Sequence, residues 1–189
     1  GHLLHFPPVA KEKDVKWKVE DLGAAADKLL AGPLTSWRVF SQIPGTGSFA
    51  YVTHLAGATK DGDLLHFWYG QTGATKVPFT QENITSATGQ KIQGDVADYS
   101  YPTVFAGHPV AEHVVARGPN DDLLLFWDLA GESGWSVVNI SATTAKKVKG
   151  MPVAWVEHLG DYATCDNIVA VGTDKHLLHF SWTAADGWK

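Results

Sequence analysis

The chain has 189 residues, 44% of them hydrophobic, with eight Trp and a formal net charge of −5. Such a composition excludes a disordered polymer and is long enough for one domain with a proper core. The acidic balance and the presence of only two Arg, Arg38 and Arg117, argue against a nucleic-acid partner, which needs a basic face.

No run of eighteen apolar residues occurs, so no membrane span is expected, and no signal peptide is visible. The Lys-rich stretches, Lys11-Glu12-Lys13-Asp14 with Lys16 and Lys18, and Lys146-Lys147-Val148-Lys149, read as solvated turns. Cys165, the single cysteine, has no local catalytic or metal companion and reads as a structural thiol.

The first element is a pentad, His2-Leu3-Leu4-His5-Phe6, which recurs as Asp63-Leu64-Leu65-His66-Phe67, Asp122-Leu123-Leu124-Leu125-Phe126 and His176-Leu177-Leu178-His179-Phe180. The starts lie 61, 59 and 54 residues apart, a period that signals an array of like supersecondary units. After the pentad come WKVEDL (Trp17 to Leu22), FTQENI (Phe79 to Ile84) and WSVVNI (Trp135 to Ile140). Twelve-residue segments ending on Gly32, Gly94 and Gly150 follow. We read these as loops, with Asn83, Asn139 and Asp21 capping the turn that follows each rather than Asn83 and Asn139 carrying glycans. A Pro then opens the next apolar run: Pro33, Pro102 or Pro152. Nine residues before the last three pentads stand His54, His113 and Asn167.

Each unit reads as four short β segments separated by Gly, Pro, Asn and Asp turns; around residue 120 they are 103–106, 111–117, 122–128 and 135–140. The pentad strand is apolar on both faces, with Leu123, Leu125 and Trp127 on one and Leu124 and Phe126 on the other. A strand exposed on one side alternates apolar and polar, so this one is covered on both. Four-stranded antiparallel sheets stacked so that both faces are covered are the blades of a β-propeller. The expected fold is therefore all-β, a propeller with a partial blade at 1–32, blades at 33–94 and 95–150, and a partial blade at 151–189. Propellers typically need about four to eight blades. The count predicts closure by association of chains, or a piece of a longer array.

The metal candidates are among the nine His. HxxH spacing at His2/His5 and His176/His179 puts the two rings on opposite faces of a strand, so neither pair chelates one ion. The position of His5, His66 and His179 holds Leu125 in the third copy and reads as a packing position. His54, His113 and Asn167 are polar and equivalent. In a propeller they form a ring, and His54 and His113 become weak metal candidates. There is no GxSxG, HExxH, CxxC or phosphate-cradling Gly loop, and no cofactor is expected. Near-equivalent aromatics (Trp68 with Trp127, Tyr69 with Trp182, and Trp17, Phe79, Trp135 and Trp188 at one position) supply faces on which sugar rings stack.

The strand, Gly-polar-Asp-Gly turn, Leu-Leu-His-Phe-Trp and following Gly-Trp resemble the repeat modules of β-propeller lectins of the tachylectin and fucose-binding types. That resemblance spans the chain as a blade consensus. It implies a non-enzymatic protein binding a glycan or small sugar in multivalent pockets between blades, and completing rings as a homo-oligomer; a secreted location is expected. The candidate ligand-binding residues are Trp68, Trp127, Trp182, Tyr69, His54, His113, Asn167 and Arg117. Two alternatives stand beside it: a propeller scaffold for protein contacts or a fragment of a larger secreted protein, and a metal-dependent propeller enzyme using His54 and His113.

Overall fold

The computed structural model describes residues 4–5, 8–11, 14–17, 20–21, 30–42, 49–72, 75–101, 111–129, 134–158 and 164–189. Near the N-terminus β1 (Leu4–His5) pairs antiparallel with β4 (Glu20–Asp21), and β2 (Pro8–Lys11) with β3 (Asp14–Trp17). Three four-stranded antiparallel sheets follow. The first contains β5 (Thr35–Gln42), β6 (Phe49–Ala58), β7 (Leu64–Thr72) and β8 (Thr75–Asn83). The second contains β9 (Val96–Tyr101), β10 (Ala111–Arg117), β11 (Leu123–Leu129) and β12 (Ser136–Asn139). The third contains β13 (Val153–His158), β14 (Thr164–Val171), β15 (Leu177–Thr183) and a two-residue β16 (Gly187–Trp188). Within each sheet the strands are neighbours in chain order. β5 packs beside β9 and β9 beside β13, so the first strands of successive sheets share one edge.

The doubly apolar pentad strand is explained by its neighbours. Leu124 and Phe126 belong to the core between the first and second sheets, with Trp37, Val39, Ala56 and Leu64. Leu123 and Leu125 belong to the core between the second and third, with Ile168, Ala170 and Phe180. A central sheet buried on both faces requires this run of apolar residues.

The segments expected as loops after β8 and β12 begin instead as five-residue helices, α1 (Ile84–Thr88) and α2 (Ile140–Thr144). The capping role of the Asn side chains is as expected: Asn83 accepts from the Ser86 N–H and Asn139 from the Ala142 N–H. The hydroxyl two residues on is equally committed. Thr85 accepts from the Leu64 N–H and donates to the Gln90 carbonyl, while Ser141 accepts from the Leu123 N–H and donates to the Lys146 carbonyl. Asn-Ile-Thr and Asn-Ile-Ser thus clamp β7 and β11 to the helices that follow their sheets. The matching segment at 22–29 lies outside the described residues.

The two helices end differently. Gly89 takes the left-handed position after α1, and Ala145 takes it after α2 at φ 56°. A Cβ there costs about 1–2 kcal/mol. Ala145→Gly is therefore expected to stabilise the chain by about 1 kcal/mol, raising Tm by about 2–4 °C in a thermal melt.

The strand expected at 103–106 falls on residues outside those described; the first strand of that sheet is β9, at Val96–Tyr101. His176 sits in the turn before β15 rather than on a strand, its ring 3.8 Å from Asp174.

Candidate functional site

The strand register brings equivalent residues of each unit side by side. Trp37 pairs with His54 and His54 with Trp68; Tyr99 pairs with His113 and His113 with Trp127; Trp155 pairs with Asn167 and Asn167 with Ser181. Cross-strand partners share a face, so each unit presents an aromatic–polar–(Trp or Ser) row to the next sheet. Successive sheets complete the row differently.

Between the first and second sheets the row closes into a polar chain. His54 Nδ1 lies 2.9 Å from His66 Nε2, and His66 Nδ1 lies 2.7 Å from Glu82 Oε1. The Trp135 indole N–H donates to the same Glu82 oxygen at 2.6 Å. From the facing sheet, Glu112 Oε2 comes within 3.2 Å of His54 Nδ1 and 4.0 Å of His66 Nε2. The rings stack: Trp37 on His54 and His66, His54 on His66, and His66 on Trp68, at centroid distances of 5.0–5.4 Å. His54, His66 and Glu112 are all buried. Burial pushes the His66 imidazolium pKa down, against the hydrogen bond to Glu82. Burial alone would raise the Glu82 carboxyl, but the hydrogen bonds from His66 and Trp135 outweigh it and hold it below its ordinary value. His66 is therefore a hydrogen-bonded buried residue and more than a packing one.

Between the second and third sheets the equivalent place is an open pocket of about 380 Å³. Three aromatics, Trp127, Trp182 and Trp188, form walls, and His113 and Asp166 supply polar groups. Leu125 stands where His66 stands in the preceding unit, and Val138 where Glu82 stands. Asp166 occupies the position of Glu112. Its Oδ1 is buried without a hydrogen-bond partner among the described residues. Burial pushes its carboxyl up to about 6, with the Tyr99 hydroxyl offsetting part of the shift. Burial likewise drives the His113 imidazolium down to about 3, and its ring stacks on Tyr99 at 4.4 Å. His113 is thus a neutral ring in the pocket wall.

The residues singled out from sequence separate accordingly. Trp127, Trp182 and His113 line the pocket. Trp68 and His54 belong to the polar chain of the preceding junction. Asn167 lies on the far face of the third sheet, where its Oδ1 is 2.8 Å from His179 Nε2. Arg117 pairs with Asp121 at 2.6 Å in the turn between β10 and β11, and Tyr69, half-buried at the register position opposite Thr53, does not line the pocket. His54 and His113 face different junctions. Glu112, Asp166 and Glu82 were not singled out. The signal for the first two was an acidic residue immediately before each of His113 and Asn167.

The chain is an all-β repeat protein of successive four-stranded antiparallel sheets with a few buried polar side chains at the junctions. It matches no protein-family model and no curated protein. Among solved structures its fold is similar to a fucose lectin from Kordia zhangzhouensis, determined in complex with methyl-fucoside. The TM-score is 0.60 and the identity 13%, over 83% of this chain and 96% of that one.

Proposed function

We propose that the chain is a non-enzymatic carbohydrate-binding protein, that the sheets within 33–94, 95–150 and 151–189 are blades of a β-propeller, and that the sugar site is the pocket between the last two. The observation that carries the reading is the pocket itself: three Trp walls with the Asp166 carboxyl in the lining. Indole faces take the C–H face of a pyranose, and a fixed acceptor takes its hydroxyl protons. The alignment of first strands along one edge suits a radial array. The lectin neighbour gives the class of ligand to try first.

The two described junctions are unlike, so in this reading multivalency comes from association of chains rather than from repetition of one pocket. The outward face of the third sheet exposes Leu177, Val153, Val171 and Trp155, and we propose that another copy covers it.

Titration of the folded chain with methyl-fucoside and a panel of other monosaccharides tests the site. Trp182→Ala is expected to weaken the best ligand on the order of 10-fold, the loss of about 1–2 kcal/mol of stacking. A well-folded sample that gives no heat with any sugar would remove the lectin reading.

A further inference from the structure

We propose that His54, His66 and Glu112 form a binding site for one divalent transition-metal ion of the zinc class, clamping the first sheet to the second. His54 comes from β6, His66 from β7 and Glu112 from β10. Their ligand atoms, His54 Nδ1, His66 Nε2 and Glu112 Oε2, are separated by 2.9, 3.2 and 4.0 Å. The circle through three points so spaced has a radius of about 2.0 Å. That matches Zn–N distances of about 2.0–2.1 Å and Zn–O distances of about 2.0–2.2 Å. An ion at its centre would meet angles of about 90°, 105° and 165°, so small side-chain rotations are needed to bring the three atoms to the roughly tetrahedral geometry zinc takes.

The residues that support His66 have the form a metal site needs. Glu82 accepts the hydrogen bond of His66 Nδ1–H, which fixes the tautomer that leaves Nε2 as a lone pair beside His54 Nδ1, and the Trp135 indole holds Glu82 in place. Trp37 and Trp68 stack on the His rings and fix their planes. Two nitrogens and one carboxylate oxygen suit zinc better than calcium or magnesium, which favour oxygen. Without an ion, two acceptors, His66 Nε2 and Glu112 Oε2, converge on the single proton at His54 Nδ1. Among the described residues the set is specific to this junction. At the next one Leu125 replaces His66, and the space is the open pocket. The ion therefore closes one junction while its neighbour stays available to ligand, and the site stands independently of what that pocket binds.

The test starts from the 189-residue chain stripped with EDTA and titrated with Co(II), then Zn(II). One equivalent per chain is expected, with cobalt giving the intense visible bands of a four- or five-coordinate site and zinc displacing it. His66→Leu installs the residue that Leu125 already contributes to a folded unit. It should lower affinity by about 100-fold or more. Glu112→Gln, nearly isosteric, should do the same if the Leu variant folds poorly. Glu82→Gln should lower it by about 10–100-fold, as expected for a group that orients a ligand. The proposal is overturned if stripped, folded chain takes up no stoichiometric metal. It is equally overturned if His66→Leu and Glu112→Gln bind as tightly as the parent, since other histidines would then hold the ion.

Discussion

Asp166→Asn is expected to stabilise the chain above pH 6 while weakening its hold on sugar. Asp166 is buried between the second and third sheets, and its carboxyl is pushed from 3.8 to about 6, chiefly by desolvation. The unfolded chain returns it to its ordinary value. Between these two values the folded state holds the proton more tightly, so stability attributable to this group falls as pH rises through the window. The difference of about two pKa units corresponds to up to about 3 kcal/mol, imposed in full above pH 6 and absent below about pH 3.8. An Asn carries no such penalty. The stability gap between variant and parent should therefore be near zero at pH 3.5, open between pH 4 and 6, and stay constant at higher pH. Denaturant unfolding of both proteins at several pH values reads it directly. Comparing the two proteins cancels every other titrating group, including His113. A gap that does not vary with pH would mean that burial does not burden the carboxylate. A buried charge kept at such a cost is characteristic of a functional site. Sugar affinity of the parent should accordingly decline as pH falls through about 6, and the variant should bind weakly at every pH.

Much of this arrangement was legible in the repeat. The pentads set β7, β11 and β15, each beginning at the first Leu of its copy. The shared position of His54, His113 and Asn167 is a true register position. The Asn caps were also readable, because their chemistry is local. The helices they start were not, since five residues give no 3.6-residue periodicity to detect. Pro102 drew the first strand of the second sheet to 103–106, where the better guide was an aromatic five residues after each Gly: Trp37, Tyr99 and Trp155 after Gly32, Gly94 and Gly150. What the repeat hid was the pairing between units. Glu112 faces His54, and Asp166 borders the pocket of His113 and Trp127, because one sheet's polar row is completed by the next sheet's acid. A repeat compares like with like within a chain, and these contacts join unlike positions.

The same logic makes one repeat position report on association. Leu64, Leu123 and Leu177 occupy equivalent places at the start of the pentad strand; the first two are 0% exposed and the third 74%. Trp155 follows the pattern, at 37% against 7% for Trp37 and 5% for Tyr99. In the single chain Leu123→Ala leaves a cavity between two sheets and should cost about 2–5 kcal/mol. That corresponds to a fall in Tm on the order of 10 °C. Leu177→Ala removes a side chain facing solvent and should change stability by no more than about 0.5 kcal/mol when the chain is dilute. At concentrations where another copy covers the third sheet, Leu177 becomes the counterpart of Leu123. Leu177→Lys then places a charge in an apolar contact. Light scattering should show the parent as a discrete species of two or more 20.4 kDa chains and the Lys variant as single chains with an unchanged circular dichroism spectrum. A face that packs on the opposite face of the next unit makes a head-to-tail contact, which closes into a ring only if its rotation is right. A single closed mass would identify a ring, and a ladder of masses growing with concentration an open array. A parent that stays at the mass of one chain throughout would mean that the exposed face of the third sheet serves no copy of this protein.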